Sequence, residues 1–369
     1  MTTPLDAALA AISETIGQYP TPDQELTAAK CRALLTGYDR HYNCQDWRAV
    51  KVEEEFCVPI YNPNATTMST SRTFRLAGKI DVVANRYSGL QQLWVVDHKT
   101  TSGDIESPDA VYWRQLAIES QVDTYLLAKH LQGVEVAGAL WDVICKPSIR
   151  PRQLKPADRK LITSVGMYFD RQVSGVTQRY ALDGKTENAE LYESRLIADI
   201  AERPSRYFQR RSVPRLREEL FAFAEELWQL SQEIRETRAN NRHYRNSGAC
   251  MAYNTPCQYL GICSGYDTPD SDKWSRAENV HSELEHIGGE SRDILTNSRI
   301  RCFQTCRRKH YHQYEMGIKR TDATTSDALY FGSLFHRGLN SWWKRFIPRT
   351  GETDGNSSCK TTTSCETVA

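Results

Sequence analysis

Two carboxylates and one lysine occupy spacings at which they can act together. They lie in Gly78-Lys79-Ile80-Asp81 and in Val95-Val96-Asp97-His98-Lys99-Thr100. Side chains alternate along a strand, so Asp97 and Lys99 share one face while His98 points to the other. If the intervening turn has three residues centred on Gly89, Asp97 is the cross-strand partner of Asp81, with Cβ atoms roughly 5 Å apart. Carboxylates so close repel unless a divalent cation neutralises them. Mg²⁺ suits that role, because it prefers hard oxygen ligands and keeps waters that a phosphate can displace. A two-residue turn would put the pair on opposite faces, and without a cation the same residues reduce to a surface ion pair between Asp81 and Lys99. Cys250, Cys257 and Cys263 form a second ligand-like group, three cysteines within 14 residues of turn-rich chain. A disulfide there would leave one of them over.

The elements that must carry these groups follow from periodicity. Residues 5–16 read as a helix, and Thr21-Pro22-Asp23-Gln24 supplies an N-cap, a first-turn proline and a capping-box glutamine for a second. Residues 52–60 read as a strand, and 73–87 with 93–100 as a β-hairpin around Ser88-Gly89. A helix is expected over about 110–131, a strand over 134–146, a further helix and strand after the basic loop 147–160, and an amphipathic helix over 214–237. Beyond Cys263 the chain is polar until about Asp293. An ordered block follows over 295–343, and the residues from 346 onward have the composition of a disordered tail. There is no internal repeat.

The carboxylate and lysine segments resemble motifs of the PD-(D/E)XK nuclease superfamily, specifically its RecB-like, iron–sulfur exonuclease branch of phage type. The resemblance implies an α/β, restriction-endonuclease-like core: a central mixed β-sheet flanked by helices, plus a helical subregion stapled by an iron–sulfur cluster. It implies that Asp81 and Asp97 are ligands for Mg²⁺ or Mn²⁺, and that Lys99 orients the attacking water and stabilises developing phosphate charge. Gln121 and Tyr125 match the Gln-x-x-x-Tyr motif on the helix that follows, one face of which they share. Leu329-Tyr-Phe-Gly332-Ser-Leu-Phe-His336 is similar to the motif in which a helix-borne histidine joins the two aspartates, so His336 is expected close to both. The fourth ligand to Cys250, Cys257 and Cys263 is then Cys306, in Ser298-Arg-Ile-Arg-Cys-Phe-Gln-Thr-Cys306-Arg-Arg-Lys, with Cys302 as the off-register alternative. The cysteine spacing differs from the better-known form, so zinc held by four thiolates competes with a [4Fe–4S] cluster.

The order of these motifs is circularly permuted relative to the branch, since the first cysteine and the histidine come last. The expected organisation is a nuclease core over 1–263, a polar linker over 264–294, the displaced N-terminal portion of the same domain over 295–345, and a tail over 346–369. The rival accounts are a truncated tandem nuclease, a gene opened at the wrong place in a circular genome, and an inactive DNA-binding scaffold that keeps the fold.

Composition narrows the partners. With 47 Lys+Arg against 46 Asp+Glu the net charge is +1, which excludes a highly basic nucleic-acid coat and an acidic disordered chain. No apolar run is long enough to cross a membrane and no signal peptide is evident, so a cytoplasmic protein is expected, in the host cytoplasm if viral. Eleven cysteines are many for a reducing compartment, where disulfides seldom persist. Basic residues cluster locally over 146–160, over 203–217 and at 307–309. Arg206, Arg210, Arg211, Arg307 and Arg308 are the expected phosphate contacts, and Tyr207 and Phe208 would stack bases. The expected partner is DNA, single-stranded or at ends, with a helicase or recombination protein beside it. The expected role is DNA repair, recombination or phage DNA processing.

Overall fold

The computed structural model describes residues 3–17, 20–42, 47–86, 92–252, 255–284, 287, 293–322 and 326–347. Helices α1 (Pro4–Ile16) and α2 (Pro22–Tyr42) lead into strands β1 (Trp47–Tyr61), β2 (Thr70–Arg86) and β3 (Gln92–Thr101). Helices α3 (Val111–Ala117) and α4 (Ser120–Leu131) precede β4 (Gly138–Cys145). A small helical insertion holds α5 (Pro156–Val165) and α6 (Gly175–Asp183). Then come α7 (Ala189–Glu202), β5 (Phe208–Val213), α8 (Arg217–Ala239), β6 (Ile294–Leu295), α9 (Asn297–Thr305) and α10 (Asp327–Lys344). The capping box expected at α2 is present: Thr21 N donates to Gln24 Oε1 at 2.8 Å and Gln24 N to Thr21 Oγ1 at 3.3 Å.

The six strands make one mixed sheet in the order β1-β2-β3-β4-β5, with β6 on β2. Pairings β1–β2, β2–β3 and β4–β5 are antiparallel, whereas β3–β4 and β6–β2 are parallel. The β2–β3 register sets Val82 opposite Val96 and Val83 opposite Val95, the pairing that a turn centred on Gly89 requires. The turn itself, 87–91, lies outside the described residues.

The pleat divides the core into two. Val82, Val96, Leu140 and Ile144 pack with α1, α2, α7 and α10. Val83, Val95, Trp141 and Val143 pack with α4, α8 and α9. Helices thus cover both faces of a mixed sheet, which fits the restriction-endonuclease-like core. The buried run of β4 is what a strand covered on both sides demands.

Two expectations change in detail. The helix expected over 110–131 breaks at Ile118-Glu119, where Arg215 both pairs with Asp123 at 2.6 Å and donates to the Ala117 carbonyl at 3.2 Å, closing the end of α3. The polar stretch 264–294 is partly built into the fold: Trp274–Arg276 pairs with Ile318–Arg320, and Trp274 stacks on Tyr259. Its few apolar side chains are enough to dock it. The tail from 348 onward lies outside the described residues. No helix among the described residues is long and apolar enough to cross a membrane.

Helix α10, late in the chain, packs Phe335, Leu339, Trp342 and Trp343 into the same core as Ile12, Leu34, Leu35 and Tyr38 of α1 and α2. Gly338 permits the approach, since a Cβ there would stand 2.6 Å from Leu35 Cδ1 and 3.3 Å from Ile12 Cδ1. Overfilling such a contact typically costs about 1–3 kcal/mol. Gly338→Val is therefore expected to lower the unfolding free energy by that amount, read in a urea titration as a lower midpoint at unchanged slope. An unchanged midpoint would show that the helix is not seated there.

Candidate active site

The site forms where β2 loses its neighbour. Pairing with β3 ends at Val82–Val96, and β6 takes up the same edge only at Arg75 and Leu76. In the gap, the Asp81 carboxylate accepts the His98 backbone N–H at 2.8 Å. On the other side of β2, Val52 lies opposite Val82 and Glu54 opposite Ile80, which sets Glu53 beside Asp81. From the next layer α10 delivers His336, whose Nε2 is 3.1 Å from Asp81 Oδ2 and whose Nδ1 is 3.7 Å from Glu53 Oε1.

Glu53, Asp81 and His336 offer ligand atoms that all lie within 4.8 Å of one another, the one such set among the described residues. Two of the three, Asp81 and His336, are residues that the sequence singles out. Glu53 is not one of those. It has φ +57°, a left-handed conformation that costs a non-glycine residue about 1–3 kcal/mol and is concentrated at functional sites. That twist breaks the two-residue alternation, so a strand pattern could not have aimed Glu53 at the site. Lys79 at 2.5 Å and Asn340 at 2.6 Å hold its carboxylate.

Asp97 stands outside this set because Lys99 draws it away, with Nζ 2.6 Å from Asp97 Oδ2. Asp97 Oδ1 is buried without a hydrogen-bond partner among the described residues. Lys99 Nζ also donates to Gln121 Oε1 at 2.7 Å, and Gln121 Nε2 donates to the Tyr125 hydroxyl at 2.6 Å. The i, i+4 pair is thus a strut for the lysine rather than a separate surface.

The charges are strongly coupled. Burial works to raise the Asp81 carboxyl, but the charge and hydrogen bond of His336 outweigh it and hold it well below the usual carboxylate range. Burial pushes Asp97 up to about 6 against the pull of Lys99, with the negative charge of Asp81 adding to the rise. Burial would lower His336, yet Asp81 and Glu53 lift it to about 9.

The four expected cluster ligands, Cys250, Cys257, Cys263 and Cys306, line one small pocket together with Arg245, Tyr259 and Lys309. Cys302 is not among the residues lining it and turns its Sγ to Gln313 Oε1 at 3.8 Å. The basic residues divide. Arg210 is a correction: its side chain is only 9% exposed and pairs with Asp142 at 3.0 Å, so it cannot meet a phosphate at the surface. Tyr207 and Phe208 are likewise core residues, packed into the cluster that α2 and α10 share. Arg211 stacks over Trp113 and Arg206 is half-buried. Arg307 pairs with Glu233 at 2.7 Å, while Arg308 is exposed and donates to the His243 carbonyl at 2.6 Å.

A cation needs Asp97 as a carboxylate and His336 as a neutral imidazole, so protons compete with it. With these groups raised to about 6 and about 9, Mn²⁺ affinity should rise with pH by about tenfold per unit from 6 to 9. Calorimetry in buffers of different ionisation enthalpy should show proton release on binding; a pH-independent affinity would contradict this charge arrangement.

Neither the curated proteins nor the solved structures contain a match to this chain. A family model does match it, over residues 2–264 and 294–366, which takes in both the carboxylate strands and the helix of His336. The chain belongs to the PD-(D/E)XK nuclease superfamily.

Proposed function

We propose that this nuclease is a divalent-metal-dependent deoxyribonuclease that degrades single-stranded DNA from an end, in DNA repair, recombination or phage DNA processing. The observation that carries the reading is His336 at 3.1 Å from Asp81, beside a lysine at 2.6 Å from Asp97. Glu53, Asp81 and His336 would hold Mg²⁺ or Mn²⁺, with Asp97 completing the set. When bound, the ion polarises the phosphate and lowers the pKa of a coordinated water. Lys99 keeps its proton, since Asp97 and Asp81 outweigh the effect of burial and raise its pKa. It therefore offers a fixed positive charge and a donor to the attacking water and to the phosphoryl oxygens. Gln121, braced by Tyr125, limits where that ammonium can go.

We read the chain as circularly permuted and acting in cis: the core shared by α10, α1 and α2 is what supports this over a truncated tandem. Lys99→Ala should lower the Mg²⁺-dependent rate on end-labelled single-stranded DNA by at least about 10²-fold, with closed circular DNA left intact by the wild type. An unchanged rate in Lys99→Ala returns the chain to an inactive DNA-binding scaffold, and cleavage of the circle makes it an endonuclease.

The cysteine pocket is read as a [4Fe–4S] site that fixes the helical subregion. Four thiols lining one pocket support a group that they share. Arg245 and Lys309 offset its charge, and the Asn246 N–H donates to Cys306 Sγ at 3.3 Å. The purified protein should be brown, absorbing near about 400 nm, and Cys257→Ala should abolish the colour. Colourless protein with stoichiometric zinc would replace the cluster by four thiolates on zinc.

A further inference from the structure

Beside the site, on the face of the sheet that α2 and α10 cover, lies a buried charged network that the hydrolysis itself does not use. Asp142 of β4 is fully buried. Its Oδ2 accepts from the Tyr38 hydroxyl at 2.5 Å and lies 2.9 Å from His98 Nδ1, and its Oδ1 accepts from Arg210 Nε at 3.0 Å. Arg210 also donates to the Tyr38 hydroxyl at 2.7 Å and lies over the Tyr42 ring at 3.6 Å. These residues come from α2, β3, β4 and β5. A buried ion pair is often no more stabilising than well-packed apolar side chains of similar volume. Its presence in this core therefore calls for a role other than stability.

His98 supplies that role. Its backbone N–H is the donor that holds Asp81 at 2.8 Å. Its ring meets the His336 ring edge-on, with centroids 5.8 Å apart, and the Trp343 ring at 6.1 Å. One residue therefore fixes two of the three closely spaced ligand side chains, Asp81 through its peptide and His336 through its ring. Asp142 locks the ring, and Tyr38 and Arg210 lock Asp142.

We propose that Tyr38, His98, Asp142 and Arg210 form a positioning network that sets the geometry of the metal site from the core between the sheet and helices α2 and α10. The proposal rests on reading Asp81 and His336 as cation ligands. Partners that orient ligands in this way typically change metal affinity or activity by about 10–100-fold when removed.

The test is Mn²⁺ affinity of the full-length chain, measured from the electron paramagnetic resonance of free Mn²⁺, beside the rate as a function of Mn²⁺ concentration. Asp142→Asn should weaken binding by about 10–100-fold, and Tyr38→Phe, which keeps the ring and removes one hydroxyl, by a smaller factor in the same direction. In both, the half-saturating Mn²⁺ should rise far more than the saturated rate falls. Ile144→Val thins the same core without touching the network and should lower the melting temperature while leaving Mn²⁺ affinity alone. If Asp142→Asn fails to fold, Tyr38→Phe decides. Unchanged Mn²⁺ affinity in folded Tyr38→Phe, or an equal loss in Ile144→Val, overturns the network. Wild-type protein that binds no Mn²⁺, or His336→Ala that binds it normally, overturns the metal-site reading instead.

Discussion

The site depends on a carboxylate standing in for a strand. Where β3 leaves β2, the His98 N–H would lose a ladder partner, and an unmet buried donor costs about 1–3 kcal/mol. Asp81 meets it at 2.8 Å. The bond fixes the carboxylate against the main chain of the neighbouring strand, so its position follows from the sheet and not from a free rotamer. Because the strands have parted, one face of the notch is open to Glu53 from β1 and to His336 from α10. β6 takes up the edge of β2 again at Arg75 and Leu76, so the opening is short and walled.

Much of this could be read from residue order, and the parts that could not share a physical cause. The register that would set Asp81 opposite Asp97 follows from two-residue alternation about a turn centred on Gly89, and the strands keep that register but stop pairing at Val82–Val96, one residue short of the two carboxylates. Gln121 and Tyr125 were readable because helical spacing puts them on one face. Glu53 was not, because its left-handed backbone turns a side chain out of the alternation in a Glu53-Glu54-Glu55 run that otherwise reads as a solvated edge. Arg210 was misread for the opposite reason. Charge in a linear segment says nothing about which residues a strand turns inward, and its partner Asp142 lies far away in sequence. Asp97 takes Lys99 as its close partner, a choice set by side-chain reach that strand register does not determine.

The distance in sequence between Asp81 and His336 carries no penalty in space, because the helix that delivers the histidine is bound by core packing. Phe335, Leu339, Trp342 and Trp343 are all buried, and each such side chain contributes about 1.5–3 kcal/mol on burial. That attachment does not depend on how residues 323–325 join the helix to what precedes it. Polar contacts then set rotation about the helix axis: Trp342 Nε1 donates to Asp39 Oδ1 at 2.7 Å, and Asn340 to Glu53 at 2.6 Å. With those fixed, His336 sits one turn before Asn340 and must face the notch.

Helix α9 joins the two centres by the same kind of construction. Its C-terminal end leads into Cys306, whose sulfur accepts from the Asn246 N–H at 3.3 Å. Its N-terminal end holds the start of α4, through Ser120 to Asn297 at 2.9 Å and Glu119 to Arg301 at 2.9 Å. Gln121, the next residue of α4, is the one that restrains Lys99. Between these ends Arg299 is buried against Glu315 at 2.9 Å and His310 at 3.1 Å, so the helix cannot slide without breaking a buried charge pair. A group that closes the cysteine pocket would anchor one end of a strut whose other end stands beside Gln121, the partner of Lys99. The cysteines and the carboxylates, far apart in chemistry, are therefore parts of one mechanical arrangement around α4.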